Sequence, residues 1–114
     1  MCSWCWGFKP QWHKLQEALP DTVTTQYVLG GLAPDTNDPM PEPMQQMLQQ
    51  TWHQIAQSIP GTQFNHEFWS LNTPRRSTYP ACRAVLAARV QNAAFEEPMI
   101  TSIQEAYYLH AQNP

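Results

Sequence analysis

The first hydrophobic pattern in the chain lies between residues 4 and 19. Its apolar positions are three or four residues apart, which is the spacing of one face of an α-helix. They are Trp4, Phe8, Trp12, Leu15 and Leu19. This spacing predicts an amphipathic helix that begins at Cys-Ser-Trp-Cys and ends at Pro20. Pro10 lies inside it, and because proline has no N–H to donate, we expect a kink near the second turn.

Residues 22–29 follow a different pattern. They are rich in β-branched and aromatic side chains, which predicts a β-strand with Val23, Thr25, Tyr27 and Leu29 on one face. No second strand is predicted elsewhere, so its backbone N–H and C=O groups lack a partner. We therefore expect this strand to pair with another copy in a homo-oligomer, or the chain to be an interior piece of a longer fold.

The rest of the chain is predicted to be mostly helical. A proline-rich loop over residues 32–43 precedes a second helix over 42–59, and residues 62–76 are irregular. A third helix, capped by Ser77 or Thr78, runs to about residue 92, and a fourth begins at Glu96. The apolar face of the second helix consists of Met44, Leu48, Trp52, Ile55 and Ile59.

The composition limits the possible partners and location. Charged residues make up only 13% of the 114 residues and the net charge is -3, so no basic patch exists for nucleic acid. No apolar run approaches the roughly 20 residues that span a bilayer, so we expect no membrane association. No signal peptide precedes the Cys-x-x-Cys motif, which favours a cytoplasmic location.

The two cysteines of the Cys-x-x-Cys motif form the most distinctive chemical feature of the sequence. Cys2 lies at the start of the predicted helix, where unpaired N–H groups and the helix dipole stabilise a thiolate. Cys5 lies one turn later and can close a disulfide with Cys2. The spacing predicts Cys2 as the attacking thiol and Cys5 as the resolving thiol. Trp4 and Trp6 would provide an apolar rim for a substrate.

Two other interpretations of these cysteines remain open. A zinc site would need two more ligands, which Cys82 with His66 or His13 could supply. Alternatively, Cys2 and Cys5 are unremarkable residues near a frayed terminus. Cys82 itself lies among alanines on an apolar helix face, which is typical of a small buried residue.

Three segments resemble one known family. They are Met-Cys-Ser-Trp-Cys-Trp-Gly-Phe at 1–8 with Pro10 after it, Tyr-Val-Leu-Gly-Gly-Leu-Ala-Pro at 27–34, and Pro-Arg-Arg-Ser-Thr-Tyr-Pro-Ala-Cys-Arg-Ala at 74–84. In this order they resemble the DsbA-like thiol oxidoreductases of the thioredoxin superfamily. The resemblance is to a bacterial branch of protein-disulfide isomerases related to the FrnE and 2-hydroxychromene-2-carboxylate isomerase groups.

The resemblance implies a partial α/β thioredoxin-like fold with an inserted helical subdomain. Residues 1–32 would hold the active-site helix and strand, and residues 33–114 the insertion. It implies thiol–disulfide exchange by Cys2 and Cys5, supported by Ser3, Trp4 and Pro10, without a metal, flavin or nicotinamide cofactor. The family's strand before the motif and its later cis-proline loop have no counterpart here, so we expect the chain to be a fragment.

The sequence also leads to expectations about the substrates and leaves two alternative functions open. Protein or small-molecule thiols and disulfides are the expected partners. Arg75 and Arg76 could bind an anionic thiol such as glutathione, because guanidinium groups suit carboxylates, or could form ordinary ion pairs. One alternative is a glutathione-dependent isomerase, although that group commonly carries a serine in place of the cysteine pair. Another is a non-catalytic helical interaction module.

Overall fold

The computed structural model describes residues 2–113, which are mostly helical. These residues form five α-helices and one short 3₁₀ helix, Ala93–Phe95. The α-helices are α1 (Ser3–Ala18), α2 (Glu42–Ser58), α3 (Phe68–Leu71), α4 (Tyr79–Gln91) and α5 (Glu96–Tyr108). The four long helices agree with the hydrophobic periodicity of the sequence, and α3 lies within the segment predicted to be irregular.

The helix boundaries follow from residues that suit a first turn. Pro43 and Pro80 lie in the first turns of α2 and α4, where a proline loses no intrahelical hydrogen bond. Glu96 and Glu97 lie in the first turn of α5, where their charge complements the helix dipole. Pro10, in contrast, lies inside α1, which runs unbroken from residue 3 to residue 18.

Thr78 is the N-cap residue of α4, one of the two residues predicted for this position, but its side chain makes no capping hydrogen bond. Its hydroxyl instead accepts a hydrogen bond from the Ala33 N–H at 3.0 Å and donates one to the Ala33 carbonyl. The Thr78 N–H also donates to that carbonyl. Thr78 therefore fastens the loop after residue 30 to the start of α4, a contact between distant segments.

The prediction of a β-strand over residues 22–29 is wrong for the described part of the chain. These residues form an extended segment without a ladder partner, and Val28 is 87% exposed. Within residues 2–113 the only β-type pairing is an isolated bridge between Pro39 and Arg75. Burying unpaired backbone groups costs roughly 1–3 kcal/mol each, so the segment keeps its backbone in water.

The core is an aromatic cluster centred on Trp52 of α2. Trp52 is 1% exposed, and Phe68 and Tyr108 are fully buried. Six aromatic rings have centroids within 6.2 Å of the indole ring. They are Phe64, His66, Phe68, Trp69, Tyr107 and Tyr108. The cluster joins α2, α3 and α5, because these rings lie on or beside those helices.

The face of α1 that packs inward is not its most hydrophobic face. Trp4, Phe8 and Leu15 are between 45% and 51% exposed, whereas Ser3 and Gly7 are buried. An added Cβ at Gly7 would lie 2.9 Å from Ile55 Cγ2 and 3.0 Å from Ile59 Cδ1. Small residues therefore allow α1 to approach α2 closely, whereas the larger side chains of Trp4, Phe8 and Leu15 stay about half exposed.

No helix within residues 2–113 is long and apolar enough to cross a membrane.

We predict that Gly7→Ala lowers the free energy of unfolding by about 1–2 kcal/mol. Alanine normally stabilises a helix interior by roughly 0.5–1 kcal/mol relative to glycine, but forcing a methyl group into a packed interface typically costs about 1–3 kcal/mol. Ile55 is fully buried, and its Cγ2 can move aside only by rotation about χ1, which is restricted for a β-branched residue in a helix. Urea unfolding measures the change.

Gln57→Ala is the matched control, because Gln57 is an exposed residue of α2. It should change the free energy of unfolding by less than about 0.5 kcal/mol. A Gly7→Ala protein that is as stable as the parent or more so would contradict the close approach of α1 and α2.

Candidate active site

Cys2 is the N-cap residue of α1. Its side chain is exposed, and its Sγ accepts a hydrogen bond from the Cys5 N–H at 3.3 Å. A sulfur in this position faces the unpaired N–H groups of the first turn and the positive end of the helix dipole. The structure thus places Cys2 where the sequence predicts the attacking thiol.

Cys5 lies one turn further along α1 and has a different environment. Partial burial, a hydrogen bond with the Cys2 side chain and the negative charge of Cys2 together raise the pKa of Cys5 to about 11. Burial is the largest cause, because it disfavours the charged form. At neutral pH Cys5 is therefore a protonated thiol, and the two cysteines are chemically distinct although both are exposed and free.

Ser3, between the two cysteines, points into the protein. Its Oγ accepts a hydrogen bond from the Trp52 indole N–H at 3.1 Å, and the residue is only 8% exposed. This bond links the first turn of α1 to the centre of the aromatic cluster. Ser3 therefore anchors the turn between the two cysteines to the aromatic cluster, a contact that the sequence motif alone does not specify.

The two tryptophans of the motif region have separate roles. Trp4 is 46% exposed and can contact a substrate beside the cysteines. Trp6 instead donates its indole N–H to the Gln63 carbonyl at 3.0 Å and stacks on Tyr108 with ring centroids 5.6 Å apart. The predicted apolar rim thus consists of Trp4 only, because Trp6 packs against the helical segment. Pro10 lies exposed in α1, two turns from Cys2.

Arg75 and Arg76 lie away from α1 in the structure. Both are exposed and line an open cavity of about 900 Å³ between the loop before α2, α2 itself, the start of α4 and α5. No residue of α1 lines this cavity. The structure therefore does not bring the two arginines together with Cys2 and Cys5.

Cys82 and the histidines do not join the cysteine pair. Within residues 2–113 no three His, Cys, Asp or Glu side chains are grouped as metal ligands. The zinc-site interpretation thus finds no ligand set in this part of the chain. His66 stacks on His53 with centroids 4.3 Å apart, and burial together with the charge of His53 lowers its pKa. Cys82 is a half-buried residue of α4.

The structure reveals two residues at the site that the sequence pattern does not single out. Gly7 permits the close contact of α1 with α2. Tyr108, in the last turn of α5, is fully buried beneath Trp6 and Trp52. A glycine in a helix and a tyrosine on an apolar face are common in any helical protein. Only long-range contacts distinguish these two, and a single sequence does not display such contacts.

The site thus combines an exposed sulfur at a helix N-terminus with a protonated thiol one turn later. A family model described as Thioredoxin matches residues 1–114. The chain belongs to the thioredoxin family. Its fold is a partial, helix-rich version of that architecture, as the sequence resemblance implied.

One solved structure is similar over almost the whole chain. It is the "Crystal structure of a putative protein disulfide isomerase from Nitrosomonas europaea", with 28% sequence identity and a TM-score of 0.83. The match covers 99% of this chain and 53% of that one, so the chain spans about half the length of its relative. A search of the curated proteins found no match.

We predict that iodoacetamide alkylates Cys2 faster than Cys5 at pH 7, by at least about ten-fold. The thiolate is the reactive form, and a thiol with a pKa of about 11 holds roughly a hundred-fold less thiolate at neutral pH than an ordinary cysteine. Cys5 should become reactive only as the pH rises towards 11. Timed labelling followed by peptide mass mapping measures both rates, with half-buried Cys82 as the internal reference.

Cys2→Ala tests the cause of this difference. It removes the hydrogen bond and the charge that contribute to the raised pKa of Cys5, so Cys5 should be alkylated faster in the variant than in the parent. Equal labelling of all three cysteines in the folded parent protein would contradict the assignment of Cys2 as the reactive thiol.

Proposed function

We propose that the protein catalyses thiol–disulfide exchange through Cys2 and Cys5. The observation that carries this proposal is the asymmetry of the pair. Cys2 accepts an N–H hydrogen bond at the exposed end of α1, and the pKa of Cys5 is raised to about 11. Family membership and the likeness to a disulfide isomerase of known structure support the same general activity.

The proposed reaction has two exchange steps. The Cys2 thiolate attacks one sulfur of a substrate disulfide, forms a mixed disulfide and releases the other substrate sulfur as a thiolate. Cys5 then loses its proton and attacks Cys2 Sγ. The products are a Cys2–Cys5 disulfide and a second substrate thiol. Two electrons pass from the cysteine pair to the substrate, and the reverse sequence oxidises a substrate dithiol.

The environment of Cys5 suits the second step. While Cys2 is a free thiolate, its negative charge and its hydrogen bond help to keep Cys5 protonated. Once Cys2 is bound in a mixed disulfide it carries no charge, so that part of the rise in the pKa of Cys5 disappears. Cys5 thus becomes a better nucleophile only after the first step. In the absence of a mixed disulfide, closing the Cys2–Cys5 disulfide would need a separate two-electron oxidant.

The proposed substrates are protein disulfides and small-molecule disulfides. Trp4 and Phe8 are about half exposed on the solvent face of α1, and exposed apolar side chains next to a reactive thiol suit an unfolded polypeptide. The intact cysteine pair argues against the glutathione-dependent isomerase alternative. A non-catalytic interaction module is the remaining alternative, and it predicts no exchange activity.

We also propose glutathione as a ligand of a separate site away from the cysteine pair, with Arg75 and Arg76 as its anion-binding residues. Within residues 2–113 neither arginine forms a salt bridge. Ser77 lines the same cavity, and its buried Oγ has no hydrogen-bond partner in the described part of the chain. Two guanidinium groups and a hydroxyl can together bind a carboxylate.

We predict that the protein accelerates the reduction of insulin by dithiothreitol, measured as turbidity. Cys2→Ser should abolish the acceleration, because it removes the attacking thiol. Cys5→Ser should retain the first step only and accumulate a mixed disulfide, which intact-mass measurement detects. Cys82→Ser is the matched control and should keep the activity of the parent.

Absence of any acceleration by the parent protein would overturn the proposal and favour the interaction module. Full activity of the Cys2→Ser variant would assign the chemistry to another residue.

We predict that the double substitution R75A/R76A weakens the binding of S-methylglutathione by about ten-fold or more, measured by calorimetry. Hydrogen bonds to charged groups contribute roughly 1.5–3 kcal/mol each, and each 1.4 kcal/mol changes a dissociation constant about ten-fold. Lys14→Ala removes an exposed positive charge from α1 and should leave the affinity unchanged. Equal loss in both variants, or none in either, would contradict a specific role of the arginines.

A further inference from the structure

The cavity that contains Arg75 and Arg76 also has an apolar side, which the carboxylates of glutathione do not use. The apolar side chains that line it come from α2, from the loop before α2 and from α5. They are Met40, Met44, Met47, Leu48, Ile103 and Tyr107. Methionine side chains are unbranched and polarisable, so they adapt to apolar groups of different shapes.

The charge of the cavity lies on two arginines. Among the described residues, its charged lining side chains are Asp35, Arg75, Arg76 and Arg83. Arg83 donates to both carboxylate oxygens of Asp35, at 2.7 and 3.1 Å, so these two residues neutralise each other. The net positive charge therefore belongs to Arg75 and Arg76. A ligand that complements the whole cavity has an anionic part for the arginines and an apolar part for the methionines.

Backbone hydrogen bonds hold the apolar and the charged sides together. The Met40 N–H donates to the Pro74 carbonyl at 2.7 Å, and Pro39 forms a β-bridge with Arg75. The Gln45 side chain donates to the Met40 carbonyl at 2.7 Å, which fastens the same loop to α2. The segment that carries the arginines thus lies beside a buried methionine by backbone pairing, before any ligand is bound.

The cavity offers no thiol to a bound ligand. No residue of α1 lines it, and no cysteine within residues 2–113 does. The sulfur of a glutathione molecule bound here has no partner for disulfide exchange, so it acts only as a point of attachment. A thioether therefore suits this site as well as a free thiol does, and a group carried on the sulfur extends the ligand beyond its charged ends.

We propose that the cavity binds S-substituted glutathione, with carboxylates at Arg75 and Arg76 and an apolar substituent against the methionines. Glutathione carries two carboxylates and one ammonium group, so its net charge complements the arginines. The cavity measures about 900 Å³, near the upper end of the usual size of small-molecule sites. The inference rests on the glutathione site proposed above and names the class of derivative that this site selects.

The test compares the binding of S-hexylglutathione with that of S-methylglutathione by calorimetry. We expect the hexyl derivative to bind at least about ten-fold more tightly, because each methylene group that is buried strengthens binding about four-fold. Calorimetry of binding requires no turnover, so the result stands apart from the outcome of the insulin assay.

The variant M44Q/M47Q tests the apolar side, because glutamine nearly preserves the shape of methionine but is polar. It should reduce the preference for the hexyl derivative to less than about three-fold and leave the affinity for S-methylglutathione unchanged, which also shows that the site is folded. R75A/R76A should weaken both ligands by the same factor and keep the preference. Leu71→Gln is the matched control, because Leu71 is 70% exposed on α3 and does not line the cavity.

Equal affinities for the two derivatives would overturn this inference and leave the glutathione site in place. A preference for the hexyl derivative that persists in M44Q/M47Q would also overturn it, because the hexyl group would then bind elsewhere, such as the exposed apolar side chains of α1. Absence of binding by either derivative would contradict both the inference and the glutathione site, whereas the exchange function is decided by the insulin assay alone.

Discussion

The hydrogen bond from the Trp52 indole N–H to Ser3 Oγ is the contact on which the rest of the structure depends. Leaving a buried indole N–H without an acceptor costs roughly 1–3 kcal/mol, and Trp52 is 1% exposed at the centre of the aromatic cluster. Its acceptor is the residue between the two cysteines. The packing of the core and the geometry of the cysteine turn therefore constrain each other. The aromatic cluster cannot shift without moving Ser3. Ser3 cannot turn outwards without leaving the indole N–H of Trp52 unpaired.

Local sequence patterns were sufficient to predict the long helices, but not the structure of the segment between α1 and α2. Apolar spacing located α1 and α2 to within a residue or two, because helical hydrogen bonds form between residues close in sequence. The strand prediction over residues 22–29 failed because a strand needs a partner from elsewhere, and the described residues supply none. Thr78 illustrates the same limit. It was predicted as a cap from its local context, but its hydroxyl bonds to Ala33, 45 residues away in sequence.

The candidate site was only partly predictable for a related reason. Cys2 and Cys5 stand out because their spacing carries the chemistry, and the start of a helix is visible in the pattern. The residues that hold them in place do not stand out. Trp6 and Trp4 look alike in the sequence, yet one binds Gln63 and packs on Tyr108 while the other is half exposed. Whether a side chain lines a site or supports it depends on contacts between distant segments, which periodicity does not record.

Because the two cysteines lie one turn apart at the end of a helix, different features of the structure control each sulfur. Cys2 depends on the first turn of α1, through the Cys5 N–H and the helix dipole. Cys5 depends mainly on burial and on the state of Cys2. This end of α1 packs on the helical segment, because Ser3 is bonded to Trp52, Trp6 stacks on Tyr108 and Gly7 approaches Ile55 closely. Substitutions in α2 or α5 can therefore alter the reactivity of the cysteines without touching either sulfur, and the helical segment is part of the site rather than a spacer beside it.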